Sequence, residues 1–283
     1  MAEMIPEGIL ESAGSEARIP RDFAQMAVAP RGLAAVKRQG VELWYLLRIE
    51  FANVRDSWIW SVIMASMFPL TTVLFFKFFM THPSPDEMRR MITGNMVFPI
   101  IIMGINALAQ DLSWSKHNGH FVFYASLPIS KINFIIAKLT NGFLMTLPSV
   151  IIMAIVGQLV FGIRLHYNIM VLPVLILSVG GCVGMGTLMG FLSPNHQLTN
   201  MMAQVVMMVL SFLTPVMIPM SQLPKVMQYV SYVFPTTYAA ESLRILFTSG
   251  WQSRVGIDIL FLVGFTILSI VLILWKMDWR VER

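Results

Sequence analysis

Charge is scarce in this chain. Aspartate, glutamate, lysine and arginine make up 12% of its 283 residues, where soluble domains carry about 25%. An ordinary soluble domain is thereby excluded. There is a single cysteine, Cys182, so an intrachain disulfide is impossible and a cysteine-built metal site lacks ligands. No lysine follows a glycine, so the Gly-Lys-Ser/Thr loop that cradles nucleotide phosphates is missing. No hydrolase elbow or nucleophile-base-acid constellation is present. The net charge of +5 is not gathered into a basic patch interleaved with aromatics, so nucleic acid is not an expected partner. The first twenty residues carry acids and no basic-then-apolar pattern, so they are not expected to be a cleaved signal peptide.

What the chain has in excess is apolar length: 56% of its residues are hydrophobic. Six long runs stand out, over residues 58–80, 92–109, 139–161, 169–192, 201–219 and 257–275. Each approaches the roughly 20 residues that carry a helix across a hydrocarbon core about 30 Å thick. Backbone inside lipid must satisfy its own hydrogen bonds, so the runs are predicted to be helices. The expected fold class is an all-α polytopic membrane protein with six transmembrane helices.

The flanks divide the rest. Residues 1–30 are rich in Ala, Glu, Pro and Gly and are expected to form a flexible cytoplasmic tail. Residues 31–57 place Val36, Gly40, Trp44, Leu47, Phe51, Val54 and Trp58 at three-four spacing, with Arg38, Glu42, Arg48, Arg55 and Asp56 largely off that face. The pattern predicts an amphipathic helix in the membrane interface. Residues 58–283 are expected to form one six-span membrane domain. Lysines and arginines on the side of both termini outnumber those on the other by roughly two to one, which places both termini in the cytoplasm and the chain as a multi-pass protein of the cell membrane.

Two stretches between the runs carry a distinctive order. Ser115–Lys138 reads SKHNGHFVFYASLPISKINFIIAK, with Lys116, Gly119, Leu127, Pro128, Ile129, Ser130, Lys131 and Lys138 in sequence. Leu223–Arg244 reads LPKVMQYVSYVFPTTYAAESLR, with Leu223, Pro224, Pro235, Thr237, Tyr238 and Arg244. Together with the six-run layout, they resemble the type-2 permease family of ATP-binding-cassette exporters, of the multidrug and antibiotic exporter kind. One departure is clear: the family's first stretch often has acids around its glycine, where this chain has Ser115 and His117, with Asp111 upstream.

The resemblance implies that the first stretch is a cytoplasmic coupling helix that an ATPase subunit grips, through Lys116, His117, Gly119, His120, Phe121, Tyr124 and Pro128. A short helix bearing aromatics can seat in a partner's groove. Read from residues alone, the same stretch is an interfacial loop with anchoring aromatics. His117 and His120 stand at i, i+3 without a third ligand, so no metal site is expected. The second stretch is too polar and proline-broken to span. The resemblance implies an external re-entrant helical hairpin that gates the exit, with Pro235, Tyr238, Glu241 and Arg244. Glu241 and Arg244, three apart, are placed to pair on one helix face.

Gly180 and Gly184, and Gly186 and Gly190, are each four apart in the fourth run, a spacing that lets helices approach closely. Polar residues inside the runs are few: Lys77, Asn95, Asn106, Asn141, Gln158 and Gln204. No acid stands at the middle of a run, where a proton- or sodium-coupled carrier would place its relay. The 23 methionines suit apolar, adaptable surfaces and also simply fill space. The expected function is therefore a permease subunit, not itself an enzyme, of an exporter for an apolar or amphipathic substrate such as a drug, antibiotic or lipid-like compound. The resemblance implies that it binds no cofactor itself and that ATP and Mg sit on two copies of a cytosolic ATPase partner. A second permease copy or a paralogue completes the path, and membrane lipids surround it. The alternatives are a polysaccharide or glycolipid export permease, a secondary carrier and a membrane scaffold.

Overall fold

A computed structural model describes residues 33–79, 84–119, 129–163, 165–214, 220 and 223–276. The expected tail over residues 1–30 lies outside them. All regular elements among the described residues are helices. Helix α1 spans Leu33–Phe79. A bent helical run follows, made of α2 (Pro85–Asn95), α3 (Phe98–Ile101), a π-helical segment (Ile102–Ala107) and α4 (Leu108–His117). Helices α5 (Lys131–Leu159), α6 (Val171–Leu192) and α7 (His196–Leu213) come next. Two short helices, α8 (Lys225–Ser231) and α9 (Pro235–Ser249), precede the last, α10 (Ser253–Lys276).

Among the described residues, five stretches are long and apolar enough to cross a membrane: Trp58–Phe78, Glu87–His117, Lys131–Leu159, Val171–Leu192 and Ser253–Trp275. The sixth expected span, 201–219, is helical through α7 as far as Leu213. Polar His196, Gln197 and Asn200 in its first turns dilute its hydropathy. Residues 215–219 of that run lie outside the described residues.

No break separates the expected interfacial helix from the first span. They form one helix of 47 residues, about 70 Å long at 1.5 Å per residue. Its apolar stripe faces outward, with Trp44, Phe51 and Trp58 exposed, while Leu46, Glu42 and Glu50 are buried against the bundle. Lys77, near the far end of α1, lies 4.9 Å from the centroid of the Phe161 ring, a cation–π contact that holds its charge at the rim.

Local chemistry starts and stops the helices. Ser84 caps α2 with Pro85 in the first turn. Its hydroxyl accepts from the Glu87 amide, and the Glu87 carboxylate accepts the Ser84 amide at 2.9 Å, a reciprocal capping box. The Ser130 hydroxyl accepts from the Asn133 amide to open α5, and the Asn195 side chain accepts from the Leu198 amide to open α7. Gly119, at φ 75°, follows α4, and Gly250, at φ 76°, ends α9; only glycine adopts this left-handed turn without strain.

Helix α6 packs on most of the other helices and has no polar face; most of it is buried, while Leu172, Ile176 and Leu192 are exposed. Contact between helices in lipid depends on close packing, and the α6 glycines supply it in two directions. A Cβ on Gly180 would meet Thr266 and one on Gly184 would meet Ser269, both on α10. A Cβ on Gly190 would sit 2.9 Å from the Ala109 carbonyl. At Gly186 it would lie 2.5 Å from the carbonyl oxygen of Ile105 and 2.7 Å from that of Gly104, in the π segment. The wide π turn thus presents backbone directly to α6.

Because both neighbours of Gly186 are backbone, Gly186→Ala is expected to destabilise the fold by about 3 kcal/mol. Gly264→Ala on α10, where no atom lies within 4 Å, is expected to be neutral or slightly stabilising. Thermal unfolding of the two purified variants in detergent checks the contrast.

Candidate functional site

The two flanks of residues 120–128 are firmly attached to the bundle. On the α4 side, Lys116 Nζ donates to the carbonyls of Phe191 at 2.9 Å and Ser193 at 3.2 Å, at the C-terminus of α6. A cation there answers the helix dipole and its unpaired carbonyls. One turn earlier, the Thr199 hydroxyl of α7 donates to the buried Ser113 hydroxyl at 2.8 Å. The Trp114 ring packs edge-on against His196, centroids 5.5 Å apart. Helix α4 is thereby joined to α6 and α7.

On the α5 side the attachment is to α1. The Ser130 amide donates to the Glu42 carboxylate, and Asn133 Nδ2 donates to the Gln39 carbonyl at 3.1 Å. Two turns further in, Lys138 Nζ lies 2.8 Å from Glu50 of α1 and 2.7 Å from Asp111 of α4. Asn141, one turn on, donates to the other Glu50 oxygen at 2.6 Å. Lys138 and Glu50 side chains are each 8% exposed and Asp111 is 47% exposed. One buried ammonium therefore ties three helices together, and its two carboxylates offset its desolvation. Sequence reading placed Lys138 in the motif but not in this junction. Glu50 was not among the residues that the sequence singled out. The 27-residue gap from Asp111 to Lys138 and the 88-residue gap from Glu50 leave no local signal.

Beside the junction a cavity of about 170 Å³ opens between α1, the π segment, α4 and α5. Asp111, Asn141 and Ser61 give it a polar end, and Val54, Met103 and Met145 an apolar wall. On the opposite side of the same helical run, Gln110 donates to Asn106, which in turn contacts Met207 of α7.

Of the expected coupling residues, Lys116, His117 and Gly119 are described; His120, Phe121, Tyr124 and Pro128 lie outside the described residues. His117 is exposed at the end of α4. A Cβ on Gly119 would meet nothing within 4 Å, so its glycine answers to backbone conformation and not to space.

At the other end of the bundle, α8 and α9 form a tight hairpin. Thr237 Oγ1 donates to the Ser231 carbonyl at 2.5 Å and Tyr238 Oη to the Tyr232 carbonyl at 3.0 Å. At 15 residues, α9 is too short to span, yet its side chains are mostly buried against α2, α6 and α10. Pro235, in its first turn, packs on Gly181 of α6. Tyr238 stacks on Phe261 of α10, centroids 4.7 Å apart.

The expected Glu241–Arg244 pair does not form. The Glu241 carboxylate meets Arg254 of α10 at 3.0 Å, and Arg254 also approaches Asp258 at 3.5 Å. Ser242 donates to the other Asp258 oxygen at 3.3 Å. Helix spacing alone favoured the partner three residues on. Burial of Glu241 turns it inward, where the partner comes from α10, while Arg244 borders a separate groove with Arg89 and Arg90 of α2.

The family model described as "ABC-2 type transporter" (ABC2_membrane) matches residues 41–248. The chain belongs to the ABC-2 type transporter family. No curated protein matches it. The match runs from the buried part of α1 to the end of α9, and so takes in both ends of the bundle just described. An ABC-2 membrane domain is a transport component and not a catalytic domain, so this chain is an integral membrane permease of an ABC exporter.

The buried junction gives a test of its own. Lys138→Met leaves Glu50 buried beside Asp111 without a cation and is expected to cost about 3–5 kcal/mol. Asp111→Asn, at a half-exposed position, is expected to cost about 1 kcal/mol or less. Midpoints of thermal unfolding in detergent, read side by side, check the ranking.

Proposed function

We propose that this permease exports an apolar or amphipathic molecule, of the drug, antibiotic or lipid-like kind, with energy from ATP hydrolysed on a separate subunit. Two copies of that cytosolic ATPase, carrying ATP and Mg, dock on the end of the bundle between α4 and α5. Lys116, His117, Gly119, His120, Phe121, Tyr124 and Pro128 are the coupling residues, and both termini lie on the same, cytoplasmic side. The observation that carries this reading is the double attachment of that end: α4 to α6 and α7 through Lys116, Ser113 and Trp114, and α5 to α1 through Ser130 and Asn133. A push on the intervening segment is delivered to several spans together, with Lys138 joining α1, α4 and α5 behind it.

ATP drives reorientation by binding the closed ATPase pair better than the open one; the permease follows through its attached flanks. The cavity beside Asp111 fits part of an amphipathic substrate. At about 170 Å³ it is smaller than the roughly 300 Å³ of a drug-sized site, which supports a second copy or a paralogue supplying the rest. The hairpin of α8 and α9, with Pro235, Tyr238, Glu241 and Arg244, forms the outer gate. Its inward-facing ion pair holds it against α10.

Co-purification with the products of the neighbouring genes, in which an ATPase is expected, followed by transport into inside-out vesicles, tests the reading. ATP-dependent uptake that survives a proton uncoupler is expected. Uptake abolished by the uncoupler and indifferent to ATP would mark a secondary carrier, and partner recruitment without transport a scaffold. Gly119→Ala strains the left-handed turn by about 1–2 kcal/mol without a clash. It is expected to slow transport severalfold while ATP hydrolysis by the complex continues; unchanged transport per ATP would remove the segment from the coupling path.

A further inference from the structure

The junction at Lys138 joins one ammonium to two carboxylates. Lys138 Nζ lies 2.8 Å from Glu50 Oε1 and 2.7 Å from Asp111 Oδ2. Glu50 is fully engaged, because its second oxygen accepts from Asn141 Nδ2 at 2.6 Å. Asp111 is not. Its Oδ1 meets no donor among the described residues. The other lysine of α4, Lys116, is spent on the carbonyls of Phe191 and Ser193. The Asp111 side chain is 47% exposed, and it lines the cavity of about 170 Å³ between α1, the π segment, α4 and α5. The surplus negative charge of the junction therefore stands at the wall of that cavity.

The rest of the polar end accepts as well. Asn141 gives an N–H to Glu50, which leaves its side-chain oxygen as an acceptor, and the Ser61 hydroxyl accepts as readily as it donates. A guest at this end has to bring donors. Val54, Met103 and Met145 give the cavity an apolar wall, where the two thioethers adapt to flat or flexible shapes. Asp111 also belongs to the apolar stretch Glu87–His117, and an ionisable side chain that faces a cavity from such a stretch marks a substrate path. A neutral guest strips water from the carboxylate and returns nothing for it. A cation replaces that water with a charge-assisted hydrogen bond, and an anion is repelled.

We propose that this cavity selects a cationic amphiphile, an ammonium group on an apolar or aromatic body, and that Asp111 receives the charge. The inference rests on the reading of the cavity as part of the substrate site and narrows the class of substrate.

The test uses the full chain in phosphatidylcholine nanodiscs, without nucleotide or ATPase. The probe is monodansylcadaverine, a fluorescent aromatic body on a primary amine. Its N-acetyl derivative keeps the body and loses the charge, and empty nanodiscs give the partitioning into lipid to be subtracted. The amine is expected to bind about tenfold more tightly than the acetylated form, as one charge-assisted hydrogen bond predicts. Asp111→Asn is expected to abolish that preference while keeping the fold, which its thermal midpoint checks. Glu87→Gln removes the same charge from the exposed cap of α2 and is expected to keep the preference, since glutamine also completes a capping box. If Asp111→Asn fails to fold, Ser61→Leu decides. It narrows the polar end without touching Lys138 and is expected to weaken binding of the amine severalfold. Equal binding of the two probes by the wild-type chain overturns the proposal. So does a preference that survives in folded Asp111→Asn, or is unchanged in Ser61→Leu, or is lost in Glu87→Gln. ATP-driven export of a neutral molecule would still stand after any of these results, so the two readings fail separately.

Discussion

Everything in this bundle is arranged around helix α6 coming within backbone contact of its neighbours. Lipid gives apolar helices no reason to leave it for one another, so association rests on dispersion at short range. Gly186 and Gly190 let α6 touch carbonyls of the π segment and α4, while Gly180 and Gly184 admit Thr266 and Ser269 of α10. The two glycine pairs lie on different sides of one helix. That is why α6 can be the shared wall between the bent second run and the last helix. The π segment completes the fit by widening the turn that carries Gly104 and Ile105. Such segments are frequent at functional sites, where a regular helix would not present the same groups.

Ionisable groups cluster toward the two ends of this frame. Glu50, Lys138 and Asp111 form one junction at the end where the proposed coupling segment lies. Glu241, Arg254 and Asp258 form another at the far end. Each joins helices distant in sequence, and each balances buried charge within a few ångströms. Between them the polar groups of the middle section are amides and hydroxyls, Asn106 and Gln110 the most prominent. Among the described residues, the two junctions thus flank a middle section whose polar groups are uncharged.

Much of this was legible from residue order. Long apolar runs announce helices because lipid permits few alternatives, and the prolines, glycines and lysines of the two polar stretches mark the family. Pairing across helices was not legible. Glu241 and Arg244 satisfy the spacing rule for one helix, yet burial sends Glu241 to Arg254. Glu42 reads as the polar side of an amphipathic helix, yet it faces the start of α5, because lipid reverses which side of a helix must be apolar. Nor does any periodicity separate a π segment from the α-helix around it, since a single inserted residue suffices. The gathering of Arg89 and Arg90 with Arg244 is likewise a product of α2 packing on α9.

The unbroken length of α1 has a mechanical meaning. A rod of 47 residues lies with its early turns on α5's first turns, through Gln39 and Glu42, and with Lys77 near its far tip against Phe161. Tilting it by about 10° about its midpoint would swing each tip by roughly 6 Å in opposite directions. A displacement imposed at one rim is then felt at the other without any side chain changing rotamer, as on the two arms of a seesaw.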